Sequence, residues 1–156
     1  MTKQKLIAKN PNAFSNYFIE EKIEAGIVLS GTEVKSIRNQ SPNLKDSFVE
    51  VRTCKTGLEA WLLNAHISPY KYGNIWNHEP TQKRKLLLHA YEIKRLFGAV
   101  TQKGYSLIPT RMYFLNGRVK VEIGLGKGKK RHDKREALKK RSHEKEIQQA
   151  IKSKNR

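Results

Sequence analysis

The sequence is poor in acid, in cysteine and in long apolar runs, and each shortage excludes something. Only 14 of 156 residues are Asp or Glu, against 32 Lys or Arg, which leaves a net charge of +18. An imbalance of that size points to a polyanionic partner, either nucleic acid or an anionic membrane surface. The lone cysteine, Cys54, excludes an internal disulfide framework and suits a reducing, cytoplasmic setting. No run approaches the length of a membrane span, and no apolar segment near Met1 resembles a signal peptide. There is no Gly-rich nucleotide loop. His66, His78, His132 and His143 show no metal-ligand spacing with Cys54, so neither a metal nor another cofactor is expected. His132-Asp133 sits in a basic stretch with no pocket to fix its geometry, so catalysis is not expected either.

What is present is unevenly placed. Residues 127–156 hold 13 Lys or Arg and 4 Asp or Glu, a net of +9, half of the total excess. The junction is VKVEIGLGKGKKRHDKR. Val119, Val121, Ile123 and Leu125 alternate with Lys120 and Glu122 as a half-buried strand does. Gly124, Gly126 and Gly128 then suggest a loosened backbone leading into a cationic arm. The domain reading is a flexible lead-in over 1–13, a folded body over 14–126, and a basic tail over 127–156.

Within the body, residues 17–23 alternate as a strand. Ser30-Gly31-Thr32-Glu33 forms a capping box that opens a helix over 31–39. Two strands over 47–53 and 58–67 join through a hairpin with Gly57 at a positive φ. Residues 68–81 read as an irregular polar loop. Ile93, Leu96, Phe97 and Val100 define a second helix that Gly104 closes. Asn116-Gly117 is a strong hairpin signal between the last two strands, and Pro109 marks an edge or bulge. About six short strands with two or three helices predict a mainly β fold, a small closed antiparallel barrel of the OB type. The tail has helix-forming composition but a thin apolar stripe, which predicts disorder when free and a helix on a partner.

Five stretches carry a resemblance: YFIEEKIEAGIVLSGTEVKSIR at 17–38, NLKDSFVEVR at 43–52, NAHISPY at 64–70, RKLLLH at 84–89 and KVEIGLGKGKKRHDKR at 120–135. In this order they resemble the SsrA-binding protein (small protein B) family, whose partner is transfer-messenger RNA (tmRNA) in bacterial trans-translation. The resemblance implies an OB-like barrel that grips the tRNA-like domain of tmRNA. It implies a tail that enters the empty mRNA channel beside the decoding centre of a stalled ribosome. The partners implied are tmRNA, small-subunit rRNA and elongation factor Tu, with the protein a monomer away from membranes. Carried over by position, Asn10, Glu24, Lys35, Lys85, Leu87, His89 and Lys120 would hold RNA. Glu24 would accept from base or ribose donors, Leu87 would pack on a base, and Lys120 would neutralise backbone. Gly128, Lys129, Lys130, Asp133, Lys134, Arg135 and Ile151 would engage the ribosome. Ser15 stands where relatives often carry His, and His89 where some carry Asn.

Plainer readings compete with these. Glu24 beside Ala25-Gly26 could be a solvated turn residue, Leu87 between two leucines a core residue, and His89 a helix cap. The rival whole-protein reading is a basic OB-fold ribosomal or RNA-chaperone protein. An RNA-modifying enzyme is a further class.

Overall fold

A computed structural model describes the backbone of residues 3–129 and 131–154. Seven antiparallel strands form one sheet in the order β1-β6-β7-β2-β5-β4-β3. The strands are β1 (Gln4–Lys9), β2 (Tyr17–Ile27), β3 (Phe48–Cys54), β4 (Gly57–Leu63), β5 (Arg84–Leu87), β6 (Ser106–Leu115) and β7 (Arg118–Gly128). Four helices accompany them: α1 (Ala13–Asn16), α2 (Gly31–Asn39), α3 (Ala90–Lys103) and α4 (Arg131–Lys154).

The expected closed barrel is not formed. Among the described residues β1 and β3 are the sheet's two edges and share no ladder. The reason lies at β6. Its outer edge is occupied by β1 from Lys9↔Arg111 to Gln4↔Leu115. Asn10 then takes the next two carbonyls. Its backbone N–H donates to Thr110 O at 2.9 Å and its side-chain Nδ2 to Pro109 O at 2.8 Å. Pro109 itself offers no N–H. β3 therefore packs near β6 but finds no partners there, and a cavity of about 500 Å3 lies at the seam between residues 47–49 and 106–108.

The two ends of the chain also differ from expectation. Where a flexible lead-in is predicted, Gln4–Lys9 forms β1 against β6. At the other end the ladder does not stop at the first tail residues. β7 runs to Gly128, paired with Tyr17, and Lys129 N–H donates to Asn16 O at 2.8 Å. The glycines there do not loosen the chain. A Cβ on Gly126 would lie 2.5 Å from Phe18 O, so glycine is what lets β2 and β7 approach. Beyond it, Arg131–Lys154 form α4, the helix expected of the tail on a partner, while the disorder expected of the free chain is not shown. After Gly128 the sequence has neither Gly nor Pro, and Lys, Arg, Glu, Gln, Ala and Leu dominate, so nothing interrupts a helix once formed.

Other elements match their local signals. Ser30 Oγ accepts from Glu33 N–H at 3.3 Å while Glu33 accepts from Ser30 N–H at 2.9 Å, which completes the capping box of α2. Gly104 closes α3 at φ 70°. Asn116 and Gly117 both have positive φ, as a two-residue hairpin requires.

The core gathers Ile23, Ala25, Ile37, Leu62, Leu86, Leu96, Met112, Val121 and Ile123 between the sheet's inner face, α2 and α3. One ion pair is buried within it. Arg84 and Glu33 are 2 % and 1 % exposed, and the guanidinium donates through Nε to the Glu33 carboxylate. Arg84 Nη1 also donates to Ala65 O at 2.7 Å and Nη2 to Pro80 O at 3.0 Å. With its other hydrogen bonds satisfied, this pair ties α2, β5 and the loop before β5 into one unit.

Candidate nucleic-acid interface

The outer face of the sheet is built by strand register. Tyr113 lies opposite Lys120 on β6–β7, Lys120 opposite Gly26 on β7–β2, and Gly26 opposite Leu87 on β2–β5. Alternation puts Glu24, Glu122, Arg111 and Lys85 on the same face, two residues along each strand. The register therefore brings four expected residues together: Glu24, Lys85, Leu87 and Lys120. Leu87 is 53 % exposed while its neighbour Leu86 is buried, so Leu87 belongs to the surface and not to the core. Gly26 has no side chain to separate it from Leu87, whose Cβ would lie 3.2 Å from a Cβ added there.

Two carboxylates directly opposite each other repel. Glu24 and Glu122 are such a pair, and each is held by its own donors. The Tyr113 hydroxyl donates to Glu24 Oε2. Thr110 Oγ1 donates to Glu122 Oε2 at 2.5 Å, and Arg111 Nε lies 3.3 Å from the same oxygen. Burial opposes ionisation of Glu122, but the hydrogen bonds from Thr110 and Arg111 and the charges of Arg111 and Lys22 outweigh it. The carboxyl therefore titrates below its ordinary value. Burial, then the hydrogen bond to Glu24 and that group's charge, push the Tyr113 phenol well above its ordinary value, against the opposing charge of Arg111. The Arg111 guanidinium lies 4.8 Å from the Tyr113 ring centroid. Glu24 remains an exposed acceptor with one oxygen fixed by Tyr113.

Lys85 and Lys83 are not bare charges. Lys85 Nζ lies 3.5 Å from Glu59, whose other oxygen accepts from Trp61 Nε1 at 3.2 Å. Lys83 lies over the Trp61 ring at 5.1 Å. A second cleft, of about 790 Å3, opens where β2, β6, α1 and α4 meet, with Lys9, Phe14, Lys22, Arg111 and Arg141 on its walls.

Other expected residues stand apart from this row. Asn10 is buried, its amide spent on Pro109 O and on Asn12 N–H, and it is among the residues lining that cleft. Lys35, on α2, pairs with the Tyr70 ring at 5.7 Å. His89 is the N-cap of α3. Its N–H donates to Glu92 at 3.0 Å and its ring stacks on Tyr91 at 5.5 Å. Ser15 is buried, with Oγ donating to Pro11 O at 3.1 Å.

In the tail, Gly128 ends the β7 ladder and Lys129 Nζ donates to Phe14 O at 2.9 Å while lying over the Phe18 ring. Arg135 and Ile151 are exposed on α4. Asp133 and Lys134 fall in α4 but their side chains, and Lys130 altogether, lie outside the described residues.

Tyr113, Arg111, Glu122 and Lys22 were missed from sequence. The signal was present, because the Asn116-Gly117 turn fixes Leu115 against Arg118 and so sets Tyr113 against Lys120.

A basic sheet face with fixed acceptors, an apolar side chain and flanking rings suits RNA. Comparison with known proteins agrees. The family model "SmpB protein" matches residues 7–153. The chain belongs to the SmpB protein family. The SsrA-binding protein of Pelobacter propionicus is 57% identical over 153 residues, covering 98% of both chains. That of Shouchella clausii is 54% identical over 155 residues, covering 99% of this chain and 97% of the relative. A solved chain from a study of tmRNA–SmpB in the bacterial ribosome superimposes with a TM-score of 0.64 at 44% identity, over 84% of this chain and 93% of that one.

Proposed function

We infer that this SmpB family member binds tmRNA and acts with it on the ribosome in trans-translation. The observation that carries the reading is the outer row Tyr113–Lys120–Gly26–Leu87 with Glu24 beside it, in a chain matched to its relatives over nearly its full length. Leu87 packs against an exposed base, Glu24 accepts from base or ribose donors, and Lys85 and Lys120 meet phosphate. The relatives' names, together with a helix whose sides are exposed, support a division of labour. The body over 14–126 selects the RNA and the tail over 127–156 enters the vacant mRNA channel near the decoding centre. Asn10, Lys35 and His89 extend the contact on the body. Gly128, Lys129, Lys130, Asp133, Lys134, Arg135 and Ile151 meet the ribosome.

In this reading the protein is an RNA-binding factor rather than an enzyme. It works as a monomer in the cytoplasm, and elongation factor Tu joins it on tmRNA during delivery. No helix among the described residues is long and apolar enough to cross a membrane. The test is recovery of RNA bound to the full chain in cells, followed by sequencing and competition with tRNA. Enrichment of tmRNA over tRNA is expected. Equal recovery of rRNA, tRNA and tmRNA would instead favour a basic ribosomal or RNA-chaperone protein.

A further inference from the structure

The loop between β4 and β5 carries apolar side chains that nothing in the fold covers. Tyr72, Ile75 and Trp76 are 71 %, 87 % and 83 % exposed, the most exposed large apolar side chains of the described body. A floppy loop would account for this without any function. The loop is instead braced at three levels. Arg84, inside the buried ion pair, donates to Pro80 O. His78 Nε2 bonds to Ile67 O at 2.9 Å, which makes Nδ1 the acceptor for the Thr32 hydroxyl on α2, also at 2.9 Å. The Asn77 side chain accepts from Tyr70 N–H at 3.0 Å and donates to Tyr70 O at 2.7 Å, closing the loop across its neck.

The tip is shaped as tightly as the neck. A Cβ on Gly73 would come within 2.8 Å of the Asn77 amide, so any side chain there would have to displace that brace. Asn74 takes a positive φ of 49° to open a single 3-10 turn, Asn74–Trp76, which turns Ile75 and Trp76 outward. Such a display is pre-organised, so little ordering cost remains when a partner arrives.

The charges beside the rings choose the partner. Lys71 lies over the Tyr72 ring and Lys35 over the Tyr70 ring, each at 5.7 Å. Cores of protein–protein interfaces are depleted in lysine, whereas sites for single-stranded nucleic acid combine aromatic rings with cations. Tyr70 meets Tyr72 edge to face, at 5.7 Å and 70°. Beside them is a cleft of about 290 Å3 whose lining includes Asn39 and Gln40 at the end of α2. Rings, ammonium groups and amide edges together are what an unstacked base and its phosphate require.

We propose that this loop is a second RNA site, separate from the sheet face, that takes unpaired nucleotides by stacking on Trp76 and Tyr72 with Lys35 and Lys71 on the backbone. The proposal rests on the chain acting on RNA, and its test separates the two. The affinity of the full chain for a fluorescent single-stranded oligoadenylate of about ten nucleotides is measured by anisotropy. The same measurement is made with an abasic oligomer of equal length. Trp76→Ala should weaken oligoadenylate binding about ten-fold and Tyr72→Ala by a smaller factor, while Trp76→Phe restores most of the loss. Neither variant should change binding of the abasic oligomer, which offers phosphate but no base. Unchanged oligoadenylate affinity in Trp76→Ala, or an equal loss with the abasic oligomer, would overturn the proposal. So would a loss of ribosome binding with oligoadenylate affinity intact, which would make the loop a protein-docking tip. Preference for tmRNA over tRNA is read on the wild-type chain, so its absence would sink the trans-translation reading and leave the loop result standing.

Discussion

The sheet and α4 are both basic, yet they hold their charges in opposite ways. On the sheet most of the named polar groups have an assigned neighbour: Tyr113 on Glu24, Arg111 and Thr110 on Glu122, Lys85 on Glu59. On α4 every residue whose exposure is described is exposed, including Leu138, Ile147 and Ile151 at 54 %, 47 % and 55 %. A helix with so little buried among its described residues draws little stability from packing. Arg141, which donates to Pro11 O at 3.2 Å, is one tether to the body. The difference fits the two roles inferred above for body and tail. The sheet presents a geometry fixed before binding, suited to choosing one RNA. The helix presents charge and an uncovered Ile147–Ile151 stripe on adjacent turns, suited to a surrounding channel that supplies the packing the helix lacks.

The largest effect should come from breaking the buried ion pair, because it acts on the body alone. Arg84→Ala leaves the Glu33 carboxylate uncompensated in the core, and loss of one partner of such a pair costs about 3–5 kcal/mol. Urea unfolding followed by tryptophan fluorescence should show that loss. Helix signal from α4 by NMR should persist where the body is still folded. An unchanged urea midpoint would mean that the pair contributes nothing.

Next is removal of the helix itself. A chain cut after Lys130 should keep its urea midpoint and its preference for tmRNA. Its affinity for generic RNA should fall, with a shallower dependence on log salt, as fewer phosphate contacts release fewer counterions. Changing Asp133, Lys134 and Arg135 together to Ala should leave tmRNA affinity near wild type and abolish peptide tagging on stalled ribosomes. Loss of tmRNA selectivity on truncation would dissolve the contrast between the two regions. In hydrogen exchange, α4 amides should exchange far faster than those of β2 and β7.

Much of this was open to reading in the chain. α2 and α3 carry their caps in sequence, and the Asn116-Gly117 turn sets the β6–β7 register. What could not be read depends on distant segments. β1 has no strong strand pattern of its own and exists because β6 has a free edge. β5 has four residues, RKLL, too few for periodicity to separate Leu86 inside from Leu87 outside. The barrel expectation failed on Asn10, whose backbone and side chain seal the β6 edge. The site divides similarly. Glu24, Lys85, Leu87 and Lys120 were reached through family resemblance, and the sheet register then places them on one face. The Glu33–Arg84 pair spans 51 positions and left no local trace.

A smaller effect should follow Glu24→Ala. A carboxylate near RNA is repelled unless it accepts specific donors, so the substitution should weaken tmRNA binding by about 1–3 kcal/mol even though it raises the net charge. Affinity for generic RNA should rise slightly. If tmRNA binding rises in parallel, Glu24 is a bystander and the sheet face is no more selective than the helix.

The smallest effect tests how Glu24 is held. Tyr113→Phe keeps the ring under Arg111 but removes the hydroxyl that fixes the carboxylate. The cost in stability should be about 1 kcal/mol, the net worth of one hydrogen bond. Its pH dependence identifies the source. The folded-state pKa of the phenol is raised, so the protonated form is the one that folding favours. Its contribution is therefore complete below the ordinary tyrosine value of about 10 and is lost as pH rises from there through the folded value. Glu122 has the opposite sign. Its folded-state pKa is lowered, so its contribution is complete above the ordinary carboxylate range and is lost as pH falls below it. Between pH 6 and 9, ordinary working conditions, the gap between wild type and Tyr113→Phe should thus be flat, and it should narrow only in alkali. Narrowing in acid instead would assign the pH dependence of the gap to the neighbouring carboxylates. A loss of tmRNA affinity in Tyr113→Phe smaller than in Glu24→Ala, with no loss for generic RNA, is expected if the hydroxyl acts by aiming Glu24. Loss for both RNAs alike would mean that Tyr113 supports the sheet as a whole.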